Sequence, residues 1–131
     1  MSLYKLTLRE LQEKFTKGEV TACEIVQAYT LRLNQLEPKV RAYITLTKEA
    51  ALVQAEALDE KLKGWRRTMP LMGMPVAVKD NICTQSVLTT CASRMLGNFV
   101  PPYDASVIAR LRGQSYLLLG KTNLDEFAMG S

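Results

Sequence analysis

The stretch Gly73-Met74-Pro75-Val76-Ala77-Val78-Lys79-Asp80-Asn81 decides the fold, because a short apolar run delivers one lysine directly into an Asp-Asn turn. A continuous apolar run bounded by Gly, Pro and Asp is typical of a strand buried on both faces of a sheet. A lysine at the end of such a strand can be held out of bulk water, where burial disfavours the charged form and lets the amine act as a base. A lysine ending a strand is also commonly a solvated edge residue, so this run alone leaves both interpretations open.

A second buried strand is predicted at residues 116–119, another continuous apolar run. Between the two runs, Asp104 is placed to cap a helix that extends through Leu111. The order strand, helix, strand predicts parallel pairing with a right-handed crossover. A further helix is predicted to start at Asn123 or Asp125.

Helices precede these strands. Thr7-Leu8-Arg9-Glu10 and Thr21-Ala22-Cys23-Glu24 both fit the capping box, in which a Thr hydroxyl and a Glu carboxylate satisfy each other's backbone donors. The first helix is expected to end at Gly18 and the second before Pro38.

An extended stretch at 42–46 leads into a third predicted helix, from about Lys48 to Lys63, which Gly64 ends. The fold class is therefore α/β, with a mixed sheet covered by helices. Within one unit spanning 1–131, we expect residues 1 to about 64 to be helical and residues from about 69 onward to form the start of an α/β core.

Composition narrows the chemistry. The 131 residues are 47% hydrophobic, which suits one globular unit, and the net charge of +4 is too weak to predict a nucleic-acid site. The sequence contains no histidine, so within these residues a general base must be a lysine, a carboxylate or a tyrosine, and no His-liganded metal site can form. No metal site is predicted.

The three cysteines are odd in number and form no CxxC pair, which favours a reducing, cytoplasmic compartment, with organelle stroma or matrix as the equivalent. No apolar run approaches the length needed to span a membrane. We therefore predict no membrane association.

Four blocks carry a resemblance to a known family. They are Gly73-Met74-Pro75-Val76-Ala77-Val78-Lys79-Asp80-Asn81, Thr89-Thr90-Cys91-Ala92-Ser93, Pro102-Tyr103-Asp104-Ala105 and Gly120-Lys121-Thr122-Asn123-Leu124-Asp125-Glu126-Phe127-Ala128-Met129-Gly130-Ser131. In this order and spacing they resemble the N-terminal part of amidase signature enzymes. Within that family the chain is most similar to the A subunits of glutamyl-tRNA(Gln) amidotransferases, a similarity that also includes the N-terminal helices.

The resemblance implies a Ser, cis-Ser, Lys mechanism in which Lys79 is the general base. It takes a proton through a serine on a cis peptide bond, and that serine activates the nucleophilic serine. Met129, Gly130 and Ser131 are candidates for the substrate pocket, with a helix-cap role as the alternative. Asp80 and Asn81 either orient Lys79 or close the turn after the strand.

The same resemblance implies partners. An A subunit hydrolyses glutamine, and the ammonia converts Glu-tRNA(Gln) to Gln-tRNA(Gln) in a complex with the B and C subunits. No cofactor is expected in this chain, since ATP and Mg belong to the partner subunit. Two alternatives stay open, a stand-alone amidase of the same family that acts on small amides and a non-catalytic remnant.

The sequence departs from the family pattern at two points, and each departure leads to a prediction. Both family serines follow the Met-Gly-Ser block, so the chain ending at Ser131 lacks the nucleophile and is predicted to be inactive alone. Ser115 stands where the family usually has glycine, and a left-handed backbone there costs roughly 1 kcal/mol relative to glycine. A shift of that turn toward Gly113 is the alternative. Strand 117–119 is expected to lack the sheet neighbours that would come later in the sequence, and so to leave apolar edges exposed.

Overall fold

The computed structural model describes residues 2–63 and 69–130. After two N-terminal helices, strands and helices alternate along the chain. Short 3-10 turns lie at Leu3–Lys5, Arg94–Leu96 and Glu126–Ala128. The helices and strands are α1 (Leu8–Lys17), α2 (Ala22–Val40), β1 (Tyr43–Leu46), α3 (Lys48–Lys61), β2 (Pro75–Lys79), α4 (Ser106–Gly113) and β3 (Leu117–Thr122). The helix end predicted at Gly64 lies outside the described residues.

The three described strands form one sheet in the order β1-β3-β2. β2 and β3 are parallel, as the strand, helix, strand order predicted, while β1 is antiparallel to β3. β3 is therefore the central strand, and Leu117, Leu118 and Leu119 are no more than 7% exposed. The expectation that this strand would leave apolar edges exposed is wrong, because β1, distant in sequence, returns to cover one side.

A bulge interrupts the pairing of β2 with β3. Val76 pairs with Leu118 and the next residue, Ala77, pairs with Gly120, so Leu119 is an extra residue on β3. One extra residue reverses the alternation of side chains beyond it. Lys121 consequently pairs with Val78 on the face that Leu118 also occupies.

Helices cover both faces of the sheet. On one face, α1, α2 and α3 pack with Leu117 and Leu119 in a single apolar cluster. On the other face, Ile108 of α4 packs with Val78 and Leu118. Burial on both faces explains the continuous apolar run of β3. The prediction that β2 is also buried on both faces is wrong, because Val78 is buried but Ala77 and Lys79, on the opposite side of the strand, are exposed. The α/β class with a mixed sheet covered by helices is confirmed.

Both predicted capping boxes are present, since the Thr7 and Thr21 side chains accept from Glu10 N and Glu24 N. Asp59 of α3 adds a second cap, accepting hydrogen bonds from the first two backbone N–H groups of α2 at 2.8 and 2.9 Å. α1 ends at Gly18 in the left-handed conformation, as predicted.

The predicted end of α2 before Pro38 is wrong, because the helix continues to Val40. Proline removes a backbone donor, but so close to the C-terminus this loses a single helical hydrogen bond. The helix ends at Arg41, which is left-handed with φ 53° and whose N–H donates to Glu37 O.

Asp104 does not cap α4, whose N-cap residue is Ala105. The Asp104 carboxylate instead accepts hydrogen bonds from Gln85 N and the Arg112 guanidinium. The prediction of a helix from Asn123 or Asp125 is also wrong, since this segment forms the 3-10 turn Glu126–Ala128. Phe127 has φ 53°, a left-handed conformation that cannot continue a right-handed helix.

The turn before β3 needs a left-handed residue. α4 runs through Gly113, and Ser115 follows it with φ 56°. The turn is therefore not shifted toward Gly113, and the strain expected at Ser115 is present.

Replacing Ser115 with glycine is expected to raise the free energy of unfolding by about 1 kcal/mol, because glycine adopts the left-handed conformation without steric cost. Urea denaturation of the purified chain measures the change. Ser115→Ala is the control, since it retains the Cβ and should give no such gain. Equal stabilisation by both variants would contradict the conformational explanation.

Gly120 allows β1 to approach β3. A Cβ on Gly120 would lie 2.5 Å from Thr45 O and 2.7 Å from the Tyr43 ring. Gly120→Ala is therefore expected to lower the free energy of unfolding by about 3 kcal/mol. Gly113→Ala, where a Cβ meets no heavy atom within 4 Å, should be neutral or stabilising by up to about 1 kcal/mol. Similar losses in both variants would rule out the β1 contact as the cause.

Candidate active site

Lys79 is the last residue of β2 and pairs with Thr122 of β3. The carboxyl ends of parallel strands meet at one edge of a sheet, and in α/β proteins this edge commonly carries the functional site. The Lys79 side chain is exposed, so the burial expected for it is not supplied by the described residues. Its side chain is accessible at this edge.

Asp80 follows Lys79 and has the opposite environment, with no exposed surface. Its Oδ2 accepts hydrogen bonds from Thr90 N at 3.0 Å and Thr90 Oγ1 at 2.6 Å. Its backbone is fixed as well, since Asp80 N donates to Thr122 O and Asp80 O accepts from Cys91 N. Asp80 therefore anchors the chain directly after Lys79, while Asn81 is exposed in the turn.

Lys121, which the sequence did not single out, is fully buried in β3 beside this anchor. Its Nζ donates hydrogen bonds to Ile82 O at 2.9 Å and Thr89 Oγ1 at 2.7 Å. The same atom lies 3.4 Å from Asp80 Oδ1. The only sequence signal was a lysine within an apolar strand, and its orientation depends on the bulge at Leu119.

Burial and charge act in opposite directions on Lys121. Removal from water is the larger effect and lowers the pKa of the Lys121 amine from its ordinary value, while the nearby Asp80 carboxylate opposes that shift. Asp80 Oδ1 has no hydrogen-bond partner among the described residues. The charge of Lys121 therefore compensates the negative charge at this atom. The two side chains thus form a buried ion pair next to the candidate base.

Two tight turns complete this end of the sheet. Cys91 and Ala92 are both left-handed in the turn closed by Ser93 N donating to Thr90 O. Phe127 and Ala128 repeat this conformation. The two turns are joined, because Phe127 N donates to Cys91 O and Ser93 Oγ donates to Glu126 Oε1.

The candidate pocket residues lie beyond the second turn. Met129 is 83% exposed and Gly130 is left-handed with φ 83°. Ser131 lies outside the described residues. The hydrogen bonds of the turn connect this segment to Cys91 and hence to Asp80, so the structure brings the Lys79 turn and the Met129 segment to the same end of the sheet.

Other features bear less on this site. In the part of the chain that the structure describes, no group of three or more His, Cys, Asp or Glu side chains is arranged to hold a metal. No helix among residues 2–63 and 69–130 is long and apolar enough to cross a membrane. A groove of about 560 Å³ between α3 and β3 is lined by Gln54, Leu58 and Tyr116, and Lys79 is not part of it.

Comparison with known proteins identifies the family. A model of the family described as Amidase matches residues 24–131. The chain belongs to the amidase family. The A subunit of glutamyl-tRNA(Gln) amidotransferase from Heliobacterium modesticaldum is 50% identical over 131 residues, which is all of this chain and 27% of that protein. The corresponding protein from Sulfurihydrogenibium sp. has the same identity and coverage. The chain thus spans about a quarter of the length of these curated relatives.

Solved structures of amidases share the fold. The peptide amidase from Stenotrophomonas maltophilia superposes with a TM-score of 0.86 at 36% identity, covering 94% of this chain and 26% of that one. A bacterial aryl acylamidase of the amidase signature family gives a TM-score of 0.84 at 21% identity over 93% of this chain and 26% of that one, a likeness of fold alone. The predicted amidase signature fold is confirmed for this N-terminal part.

Removing the Thr90 hydroxyl tests the anchor at Asp80. Thr90→Val keeps the shape but deletes the 2.6 Å hydrogen bond to a buried carboxylate, so it should lower the free energy of unfolding by about 1–3 kcal/mol. Thr84→Val is the matched control, because Thr84 Oγ1 donates to Ile82 O, a neutral acceptor that Lys121 still satisfies. Urea denaturation should show a clearly smaller loss in the free energy of unfolding for Thr84→Val. Equal losses for the two variants would show that the hydrogen bond from Thr90 to the carboxylate is no more stabilising than one to a neutral acceptor.

Proposed function

We propose that this chain is the base-bearing N-terminal part of the glutamine-hydrolysing A subunit of a glutamyl-tRNA(Gln) amidotransferase, with Lys79 as the general base. The observation that carries the proposal is the position of Lys79, exposed at the carboxyl end of β2 and followed by the anchored Asp80. The identity of 50% across the whole chain to proteins of that name supports the choice of substrate.

In this proposal the Lys79 amine accepts a proton, passed through a serine, from the nucleophilic serine that attacks the glutamine carboxamide. Both serines are expected in sequence beyond Ser131, and packing of that sequence over the exposed Lys79 would bury the amine and favour its neutral form. Attack releases ammonia and leaves a glutamyl ester on the serine, which water then hydrolyses to glutamate and free serine. Without a positioned nucleophile the base has nothing to activate, so the chain alone is expected to be inactive.

The proposal extends to an assembly. The A subunit works with B and C subunits, to which it passes ammonia for the conversion of Glu-tRNA(Gln) to Gln-tRNA(Gln). ATP and Mg are assigned to the partner subunit, which phosphorylates the glutamate, and this chain holds no cofactor. The three cysteines carry free thiols, in keeping with the reducing compartment that we propose, the cytoplasm or an organelle stroma or matrix.

The test is a fusion of this chain to the sequence that follows the matched segment in the Heliobacterium modesticaldum protein, coexpressed with that organism's B and C subunits. Ammonia release from glutamine is measured. Lys79→Ala is expected to reduce kcat/KM by about 100- to 10,000-fold, the usual contribution of a general base. Lys39→Ala removes another exposed lysine, in the last turn of α2, and should leave the rate unchanged.

The outcomes separate the alternatives. Loss of activity in Lys79→Ala alone, with its thermal unfolding unchanged, supports the proposal. A fusion that hydrolyses a peptide amide but not glutamine would instead favour a stand-alone amidase, which the 36% identity to the peptide amidase makes the second candidate. A folded, assembled fusion that is inactive on both substrates would favour a non-catalytic remnant.

A further inference from the structure

The segment at Met129 and Gly130 is held in place without being packed. Met129 is 83% exposed, and a Cβ added to Gly130 would meet no heavy atom of the described residues within 4 Å. The two residues before it, Phe127 and Ala128, have φ 53° and 56°, a conformation that is unfavourable for residues with a side chain. Neither burial nor local preference accounts for the path of this segment, so it is fixed by contacts with other parts of the chain.

Those contacts run through Glu126. Its backbone carbonyl accepts a hydrogen bond from Met129 N at 3.2 Å, and its carboxylate Oε1 accepts one from Ser93 Oγ at 2.8 Å. The next residue adds a second connection, because Phe127 N donates to Cys91 O at 2.9 Å. The Glu126 side chain is itself exposed, so the hydrogen bond from Ser93 determines its orientation more than packing does.

Ser93 ties Glu126 to the buried anchor at Asp80. Ser93 is 3% exposed, and its backbone N donates to Thr90 O at 2.9 Å. Thr90 in turn donates to the Asp80 carboxylate from both its N and its Oγ1. A hydrogen bond to a charged acceptor is stronger than one between neutral groups, which makes the bond from Ser93 to the Glu126 carboxylate a strong one. Through it, the anchor at Asp80 sets the position of the Met129 segment.

We propose that Ser93 and Glu126 form a positioning pair for the substrate pocket. Their hydrogen bond sets where Met129 and Gly130 lie relative to the turn after Lys79, and so sets how tightly the enzyme holds glutamine. The inference rests on the function proposed above and on the pocket role predicted for the Met129 segment. In this role neither residue of the pair touches the substrate, and both act through the backbone that follows Glu126.

The experiment measures kcat and KM for glutamine separately in the assembled fusion. Ser93→Ala removes the donor and Glu126→Ala removes the acceptor. Each is expected to raise KM about tenfold while kcat changes less than about twofold. The double variant should raise KM no further than Ser93→Ala alone, because both single variants lose the same interaction. Glu126→Gln keeps an acceptor oxygen for Ser93 and should retain a KM close to that of the unaltered fusion.

Thr7→Ala is the matched control. Thr7 Oγ1 donates to the Glu10 carboxylate at 2.8 Å, a bond of the same kind and length in the cap of α1. Its loss should lower the thermal unfolding temperature and leave KM unchanged. A purely structural role for Ser93 and Glu126 predicts this same behaviour, since a smaller fraction of folded enzyme lowers the maximal rate but not KM. Unchanged KM in both Ser93→Ala and Glu126→Ala would therefore overturn the proposal.

The remaining outcomes also separate the explanations. If Glu126→Gln is as impaired as Glu126→Ala while Ser93→Ala is normal, the carboxylate acts on its own and the pair is overturned. If Ser93→Ala fails to assemble, the two Glu126 variants decide, because they alter an exposed side chain and are expected to differ in KM. Retention of full activity by Lys79→Ala would overturn the proposed function itself, whereas a Lys79-dependent activity with unchanged KM overturns only the positioning pair.

Discussion

Complete burial of a lysine ammonium at the end of the central strand is the constraint on which this end of the molecule depends. Such a charge is tolerated only where hydrogen-bond acceptors and an opposite charge surround it. Around Lys121 these are Ile82 O, Thr89 Oγ1 and the Asp80 carboxylate. These contacts fix the path of the loop after β2, which begins directly after Lys79.

The cost of this arrangement is also visible in the backbone. Four non-glycine residues in the two joined turns, Cys91, Ala92, Phe127 and Ala128, are left-handed, a conformation that costs roughly 1–2 kcal/mol each. They are held there by hydrogen bonds that connect each turn to the other and to Asp80. Strain that persists because its surroundings over-determine it is common at functional sites, and here it lies at the edge that carries the candidate base.

What the sequence predicted well was local. The capping boxes at Thr7 and Thr21 need only residues three apart, and the two apolar runs identified β2 and the start of β3. The strain at Ser115 was predicted from the family resemblance, because the family usually has glycine at this position. Lys79 could be chosen only through the family resemblance, since a lysine after an apolar strand is ambiguous by itself.

The features that the sequence did not predict depend on contacts between distant segments. The bulge at Leu119 arises from register with β2, so neither it nor the burial of Lys121 is visible in the sequence. The central position of β3 likewise depends on β1, which lies before α3 in the sequence and pairs with β3 in the sheet.

The contacts of Thr47 have a consequence for the order in which the chain folds. Its hydroxyl donates to Leu118 O at 2.6 Å across a separation of 71 residues, at the point where β1 gives way to α3. Only the short strand β1 separates α2 from α3 in the sequence, and Asp59 of α3 caps α2, so the association of the two helices closes only a short loop. Loop-closure entropy rises with length and contacts of high sequence separation form slowly, so the helical hairpin is favoured to assemble first and the sheet to close onto it. The segment bearing Lys79 then acquires its final geometry late, when β3 docks between its two neighbours.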